Sequence, residues 1–183
     1  MPIEVVATEL PEVLLIKPRV FADARGFFFE SFNKREWVAA TGIDCEFVQD
    51  NHSRSSKGVL RGLHYQLPPS AQGKLIRVLA GEIFDVAVDI RRTSPTFGRW
   101  VGHRLSAENK LQMWVPEGFA HGFLVLSDVA EIHYKTTDYY NPQTERGISW
   151  DDGSLAINWP KTGEIFLSDK DSVAPSWSDS ELF

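Results

Sequence analysis

Cysteine, basic excess and long apolar runs are all scarce in this chain, and each scarcity closes off a class of protein. The single cysteine, Cys45, cannot form an internal disulfide or build a cysteine-based zinc site. Acidic residues outnumber basic ones, 25 to 19, for a formal net charge of -6. That balance argues against broad electrostatic binding to nucleic acid or to an anionic membrane. A small anionic ligand stays open, because a pocket can be locally basic on an acidic protein. No apolar run is long enough to cross a bilayer. The start, Met1-Pro2-Ile3-Glu4, lacks the charged-then-apolar pattern of a signal peptide. A cytoplasmic protein with no nucleic-acid or membrane partner is the expectation. Glycine fingerprints of mononucleotide and dinucleotide sites are missing too.

What is present reads as one globular domain over residues 1–183. Hydrophobic residues make up 43% and charged residues 24%, enough of the first to bury a core and too little of the second for disorder. Residues 3–20 alternate as a strand pair or one long bent strand. A turn with a charged tip follows at Asp23-Ala24-Arg25-Gly26, and Phe27-Phe28-Phe29-Glu30 resumes a strand. One helix is legible over about residues 34–41, with Asn33 as N-cap, Glu36 three residues on and Gly42 to end it. Lys74–Ala80 and Ile83–Ile90 flank Gly81-Glu82 as a tight hairpin would. In the second run Phe84, Val86, Val88 and Ile90 share one face, with Asp85, Ala87 and Asp89 on the other. Further strands are expected at 99–105, 111–115, 121–127 and 130–137. Many short strands with few helices predict a mainly β sandwich or jelly-roll barrel.

Two stretches put polar groups inside strands, where a site is the usual reason for them. The first runs Gly58-Val59-Leu60-Arg61-Gly62-Leu63-His64-Tyr65-Gln66 and on through Gln72-Gly73-Lys74-Leu75-Ile76-Arg77-Val78. The second is Pro116-Glu117-Gly118-Phe119-Ala120-His121. They read as opposite walls of one pocket. Arg61 and His64 stand three residues apart, which strict alternation would place on opposite faces; a bulge at Gly62 would reconcile them.

Pro116-x-Gly118-x-x-His121 resembles the second motif of cupins, and His64-Tyr65-Gln66 stands where the first would carry His-x-His. One histidine from each half leaves the usual metal site dismantled, so neither metal nor other cofactor is expected. Seven blocks in order resemble the dTDP-4-dehydrorhamnose 3,5-epimerase family more closely. They are Asp23–Gly26, Gln49–Ser53, Arg61–Gln66, Gly73–Val78, Pro116–Phe123, Tyr134–Tyr140 and Leu167–Asp171. The resemblance implies a cupin-type jelly-roll barrel with a few short helices. It also implies epimerisation of dTDP-4-dehydro-6-deoxy-D-glucose at C3 and C5, for dTDP-L-rhamnose supply. Both carbons flank the C4 ketone, so each C–H is acidified through an enolate. Inversion then needs a base, an acid on the other face and a group to hold the enolate oxygen.

By the same resemblance His64 is the base, since imidazole titrates near working pH, and Asp171 orients it. Asp169 is the rival carboxylate, and Ser168-x-x-Asp171 also reads as a helix capping box. Tyr134 is the acid, with Tyr140 as rival, and neighbouring cations would have to help its phenol. Lys74 serves the C4 oxygen and Arg61 the diphosphate. Arg25, Glu30, Gln49, Asp50, Asn51, His121, Glu145 and Lys170 would contact nucleotide or sugar. The resemblance further implies a homodimer with exchanged N-terminal strands. Three other readings stay open: a 3- or 5-epimerase acting at one centre, a metal-dependent cupin, and a non-catalytic sugar-binding jelly roll.

Overall fold

The computed structural model describes residues 2–183. Strands β1 (Glu4–Ala7) and β2 (Leu14–Lys17) form an antiparallel hairpin, so the alternating start is a strand pair. The ribbon β3 (Phe21–Asp23) and β4 (Gly26–Phe28) follows, its tip closed by the Arg25 backbone N–H donating to Asp23 Oδ1 at 2.8 Å. Helix α1 (Lys34–Thr41) starts where Asn33 Oδ1 accepts from the Arg35 and Glu36 amides. It ends where Gly42, at φ 72°, donates to the Val38 carbonyl.

The remaining strands are β5 (Gln49–Ser56), β6 (Leu60–Gln66), β7 (Lys74–Ala80), β8 (Glu82–Asp89), β9 (Trp100–Ser106), β10 (Gln112–Val115), β11 (Phe119–Val125), β12 (Val129–Thr136) and β13 (Glu145–Gly147). They build two antiparallel sheets in the orders β1-β2-β10-β7-β12-β5 and β13-β6-β11-β8-β9. This mainly β, cupin-type fold agrees with the sequence expectation.

Alternation along each strand sorts its side chains between the layers. Leu15, Ile76, Met113 and Ile132 of the first sheet meet Ala87, Leu105, Phe119 and Phe123 of the second, and this is the inter-sheet core. The outer face of the first sheet carries Ile16, Leu75 and Trp114 under α1, whose only buried side chain is Trp37. Val86 and Val88 point outward from the second sheet, where the segment after residue 147 covers them with Ile148, Leu155 and Trp159.

Two topological expectations are corrected. β7 and β8 form no hairpin: β7 pairs with β10 and β12, and β8 with β9 and β11. The turn at Gly81 instead carries the chain from one sheet to the other. A side chain there would run into the Val129 carbonyl, at a φ of 76° that favours glycine. The two histidine stretches are likewise not opposite walls, since β6 and β11 are neighbours with His64 directly across from His121. The facing wall comes from β5, β7 and β12.

Candidate active site

At one end of the sandwich the apolar filling gives way to a cavity of about 330 Å³. One wall carries Arg61 and His64 of β6, His121 of β11 and Glu145 of β13. The other carries Gln49 and Asn51 of β5, Lys74 of β7 and Tyr134 of β12.

The difficulty with Arg61 resolves in the register. Phe123 lies opposite Arg61 and His121 opposite His64, so three residues of β6 advance against two of β11. The extra residue makes a bulge, and it turns Arg61 and His64 to the same face. Gly62 sits there at φ 121°, and a Cβ on it would stand 2.5 Å from Gly122 Cα. Glycine is therefore required both by the backbone and by the close approach of β11.

His64 Nε2 lies 2.5 Å from Asp171 Oδ1. Asp171 belongs to the short helix α2 (Asp169–Ser172), and only 4% of its side chain is exposed. Burial works against its charge, but the hydrogen bond and charge of His64 outweigh that, and its carboxyl stays below the usual range. An ionised carboxylate only accepts, so Nε2 carries a proton, and Nδ1 holds the lone pair whenever the ring is neutral. Ser168 Oγ accepts from the Asp171 amide, so the capping reading holds for the backbone while the carboxylate serves His64. Asp169 is exposed.

Lys74 is buried, and its ammonium has no hydrogen-bond or ion-pair partner among the described residues. Burial pushes it down to about 8, against the raising influence of the Glu145 carboxylate. Tyr134 has no hydroxyl partner among the described residues either. Burial pushes its phenol up, and the nearby Arg61 charge only partly offsets this. The phenol is thus protonated at neutral pH, the state an acid needs. Tyr140 also borders the cavity, but its hydroxyl donates to Glu145 Oε2 at 2.8 Å; Tyr139 is exposed.

Arg61 is held by Ser55 Oγ, with both contacts near 3 Å. Gln49 spends its amide within the protein, donating to Asn51 Oδ1 and accepting from the Tyr140 amide. Asn51 lines the cavity, and its Nδ2 has no hydrogen-bond partner among the described residues. Lys170 forms an ion pair with Glu145.

Three expected contacts lie elsewhere. Asp50 is on the outer face of β5, paired with Lys135 Nζ at 2.8 Å, because alternation sends it away from Gln49 and Asn51. Arg25 is at the exposed β3–β4 tip, ion-paired with Asp23. Glu30 accepts from Asn33 and borders a separate crevice with Trp37 and Leu75. Neither of the last two lines the cavity of its own chain.

Sequence reasoning missed Asp85 and Gln66 as site-builders. Asp85 is fully buried and stands 2.7 Å from His121 Nε2; the signal was an acidic residue on the less apolar face of β8. Gln66, at the second histidine position of the cupin motif, donates to the Ser70 and Tyr139 carbonyls and accepts from the Asn141 amide. It ties down the loop that carries Tyr140. Among the described residues no three His, Cys, Asp or Glu side chains are placed to hold a metal.

A jelly roll whose inter-sheet cavity holds an aspartate-oriented histidine, a buried lysine and a protonated tyrosine is a cupin-type enzyme built for acid–base chemistry. Comparison with known proteins narrows that class. Residues 7–179 match the family model described as dTDP-4-dehydrorhamnose 3,5-epimerase. The dTDP-4-dehydrorhamnose 3,5-epimerase of Shigella flexneri is 60% identical over 98% of both chains. That of Pseudomonas aeruginosa is 60% identical over 95% of this chain and 96% of its own. The crystal structure of the dTDP-6-deoxy-D-glucose-3,5-epimerase of Legionella pneumophila, in complex with dTDP-4-keto-L-rhamnose, superposes with a TM-score of 0.95 at 53% identity. It covers 98% of this chain and 95% of that one. The chain belongs to the dTDP-4-dehydrorhamnose 3,5-epimerase family.

Proposed function

We propose that the protein epimerises dTDP-4-dehydro-6-deoxy-D-glucose at C3 and C5 to dTDP-4-dehydro-L-rhamnose, for dTDP-L-rhamnose synthesis in the cytoplasm. The observation that carries the scheme is that base and acid come from opposite sheets. His64, held from behind by Asp171, stands on one wall of the cavity, and Lys74 and Tyr134 on the other.

His64 Nδ1 takes the proton from the carbon beside the C4 ketone, and the C–H electrons move to the C4 oxygen as an enolate. Asp171 holds the ring and stabilises the imidazolium that forms. Lys74 places an unpaired ammonium at the enolate oxygen, where a fixed charge in a dry site is worth most. The phenol of Tyr134 delivers a proton to the other face of the same carbon, inverting it. Tyr134 and His64 then return to their starting states by proton exchange with solvent, so no electrons are gained or lost. The steps repeat at the second carbon.

Arg61, braced by Ser55, suits the diphosphate, because a guanidinium makes paired hydrogen bonds to phosphate oxygens. Asn51 offers donors to base or sugar, and His121 and Glu145 border the sugar. The protein works as a homodimer in this reading. Phe21, Phe27 and Phe28 are exposed on the β3–β4 ribbon of a single chain, a surface that a second copy would cover. Arg25 and Glu30, which miss their own cavity, would then complete the neighbour's.

The test is NMR of the nucleotide sugar incubated with the protein in D2O. Deuterium entering at both C3 and C5, with the L-sugar trapped by a reductase, is the expected result. Exchange at neither carbon with ligand bound would overturn the reading, and exchange at one alone would reduce it to a single-centre epimerase.

A further inference from the structure

The His64-Tyr65-Gln66 motif leaves one residue that the proposed chemistry does not use. Gln66 stands where a metal-binding cupin would place its second histidine, and only 4% of it is exposed. It lines the cavity, yet its amide is engaged within the protein. Nε2 donates to the Ser70 carbonyl at 2.6 Å and to the Tyr139 carbonyl at 3.1 Å, and Oε1 accepts from the Asn141 amide at 2.8 Å. A glutamine supplies two donors and an acceptor on one planar group, which a histidine does not.

These bonds tie down residues 137–144, the loop between β12 and β13. From Thr137 to Glu145 no residue is buried, so apolar packing does not fix this loop and its polar ties must. Two more glutamines contribute. Gln72, itself buried, donates from Nε2 to the Asp138 carbonyl at 2.6 Å, and Gln49 Oε1 accepts from the Tyr140 amide at 3.0 Å. The loop presents Tyr140, whose ring is exposed at the edge of the cavity while its hydroxyl donates to Glu145. With backbone amide and hydroxyl both engaged, the ring is held in one place. A fixed, exposed aromatic ring beside a nucleotide site is a surface on which a base stacks.

We propose that Gln66, supported by Gln72, is a positioning residue for the nucleotide end of the substrate: it holds the loop so that Tyr140 is in place before the base arrives. The proposal rests on the reading of the ligand as a dTDP-sugar. A loop ordered beforehand adds no ordering cost to binding, whereas one that visits the receptive shape for a fraction of the time weakens binding by that fraction. The acid–base groups His64, Lys74 and Tyr134 lie on β6, β7 and β12, outside the loop. Loss of Gln66 is therefore read in nucleotide affinity and not in turnover.

The experiment compares Gln66→Met and Gln72→Met with the unaltered protein, because methionine keeps the length of the side chain and removes its hydrogen bonds. Four quantities are measured: the Kd of thymidine diphosphate, the Ki of inorganic pyrophosphate, kcat at saturating nucleotide sugar, and backbone amide exchange over residues 137–144 by mass spectrometry. For Gln66→Met the Kd of thymidine diphosphate should rise about ten- to a hundredfold as the receptive loop becomes a minor state. Gln72→Met, which loses one bond, should show a smaller rise. Pyrophosphate, which has no base, should bind within about twofold of its original strength, and kcat should stay within about twofold. Amides of the loop should exchange faster. An unchanged Kd, equal weakening of thymidine diphosphate and pyrophosphate, a loss in kcat without one in Kd, or loop amides that exchange no faster would each overturn the proposal. If Gln66→Met fails to fold, Gln72→Met decides by the same criteria. Failure of the unaltered protein to bind thymidine diphosphate would overturn the nucleotide reading, and the proposal with it.

Discussion

Replacing Lys74 by methionine should make the protein more stable and nearly inactive, and the size of the first effect follows from the burial of the ammonium. Lys74 is buried without a partner among the described residues, and its proton affinity falls from 10.5 to about 8. At about 1.4 kcal/mol per pKa unit, the folded protein gives up roughly 3 kcal/mol by holding that charge at pH 7. The sign runs as for any depressed amine. Below pH 8 both folded and unfolded chains carry the proton, and the full cost is present. Between about pH 8 and 10.5 the folded chain has shed it while the unfolded chain has not, so stability rises with pH. Methionine fills similar space with no charge, so Lys74→Met should gain up to about 3 kcal/mol at pH 7, with the advantage fading towards pH 10. Urea unfolding at pH 7 and pH 9.5, at fixed protomer concentration, reads the difference directly. Over the same range kcat/KM of the unaltered enzyme should fall above about pH 8 as the ammonium is lost, and Lys74→Met should lose about a hundred- to a thousandfold in kcat at pH 7. A variant that is less stable at pH 7, or whose stability difference does not shrink with pH, would refute the argument from burial.

Three further outcomes follow from the same geometry. Asp171→Asn should lower kcat by at least about a hundredfold, since the amide leaves the His64 ring in the wrong tautomer, while Asp169→Asn stays within about twofold; equal effects in steady-state assays would contradict the pairing seen. Tyr134→Phe should keep deuterium exchange at the carbons facing His64 but lose inversion, because base and acid sit on different walls; inversion at the normal rate, followed by NMR, would remove Tyr134 from the scheme. Gly62→Ala meets Gly122 Cα and the His121 carbonyl at 2.5 and 2.7 Å with φ at 121°, so a loss of at least about 2 kcal/mol in thermal or urea unfolding is expected, and a neutral result would mean that the bulge can relax.

Local elements were legible because they depend on residues close in sequence. Asn33 and Gly42 mark α1 to the residue, since capping is a contest between neighbouring side chains and backbone amides. Strand positions fell within a few residues of their places for the same reason. Partners did not follow. Gly81 announces a turn, yet nothing local says that the chain leaves one sheet there and enters the other. Asp50 stands within a matched block but faces outward, because alternation overrides membership of a motif. Asp85 was visible as an acidic residue on a strand, and only the pairing of β8 with β11 brought it to His121.

The sequence by itself determined the fold class, the family and the chemical inventory of the site: one base candidate per histidine stretch, a lysine, a tyrosine and a guanidinium in ordered blocks. Composition, alternation and motif order are properties of the chain, and folding does not alter them. Tertiary structure set Asp171 and not Asp169 against His64, as the family pattern had favoured, because the contact turns on which carboxylate of a single helical turn faces β6. It decided that Arg61 and His64 share a face, through the extra residue that β6 carries against β11. It also decided that Lys74 is a weakened base and Tyr134 a firmly protonated acid. Those states come from burial and from charges brought together across the sandwich, and such a field exists only once the two sheets have closed on each other.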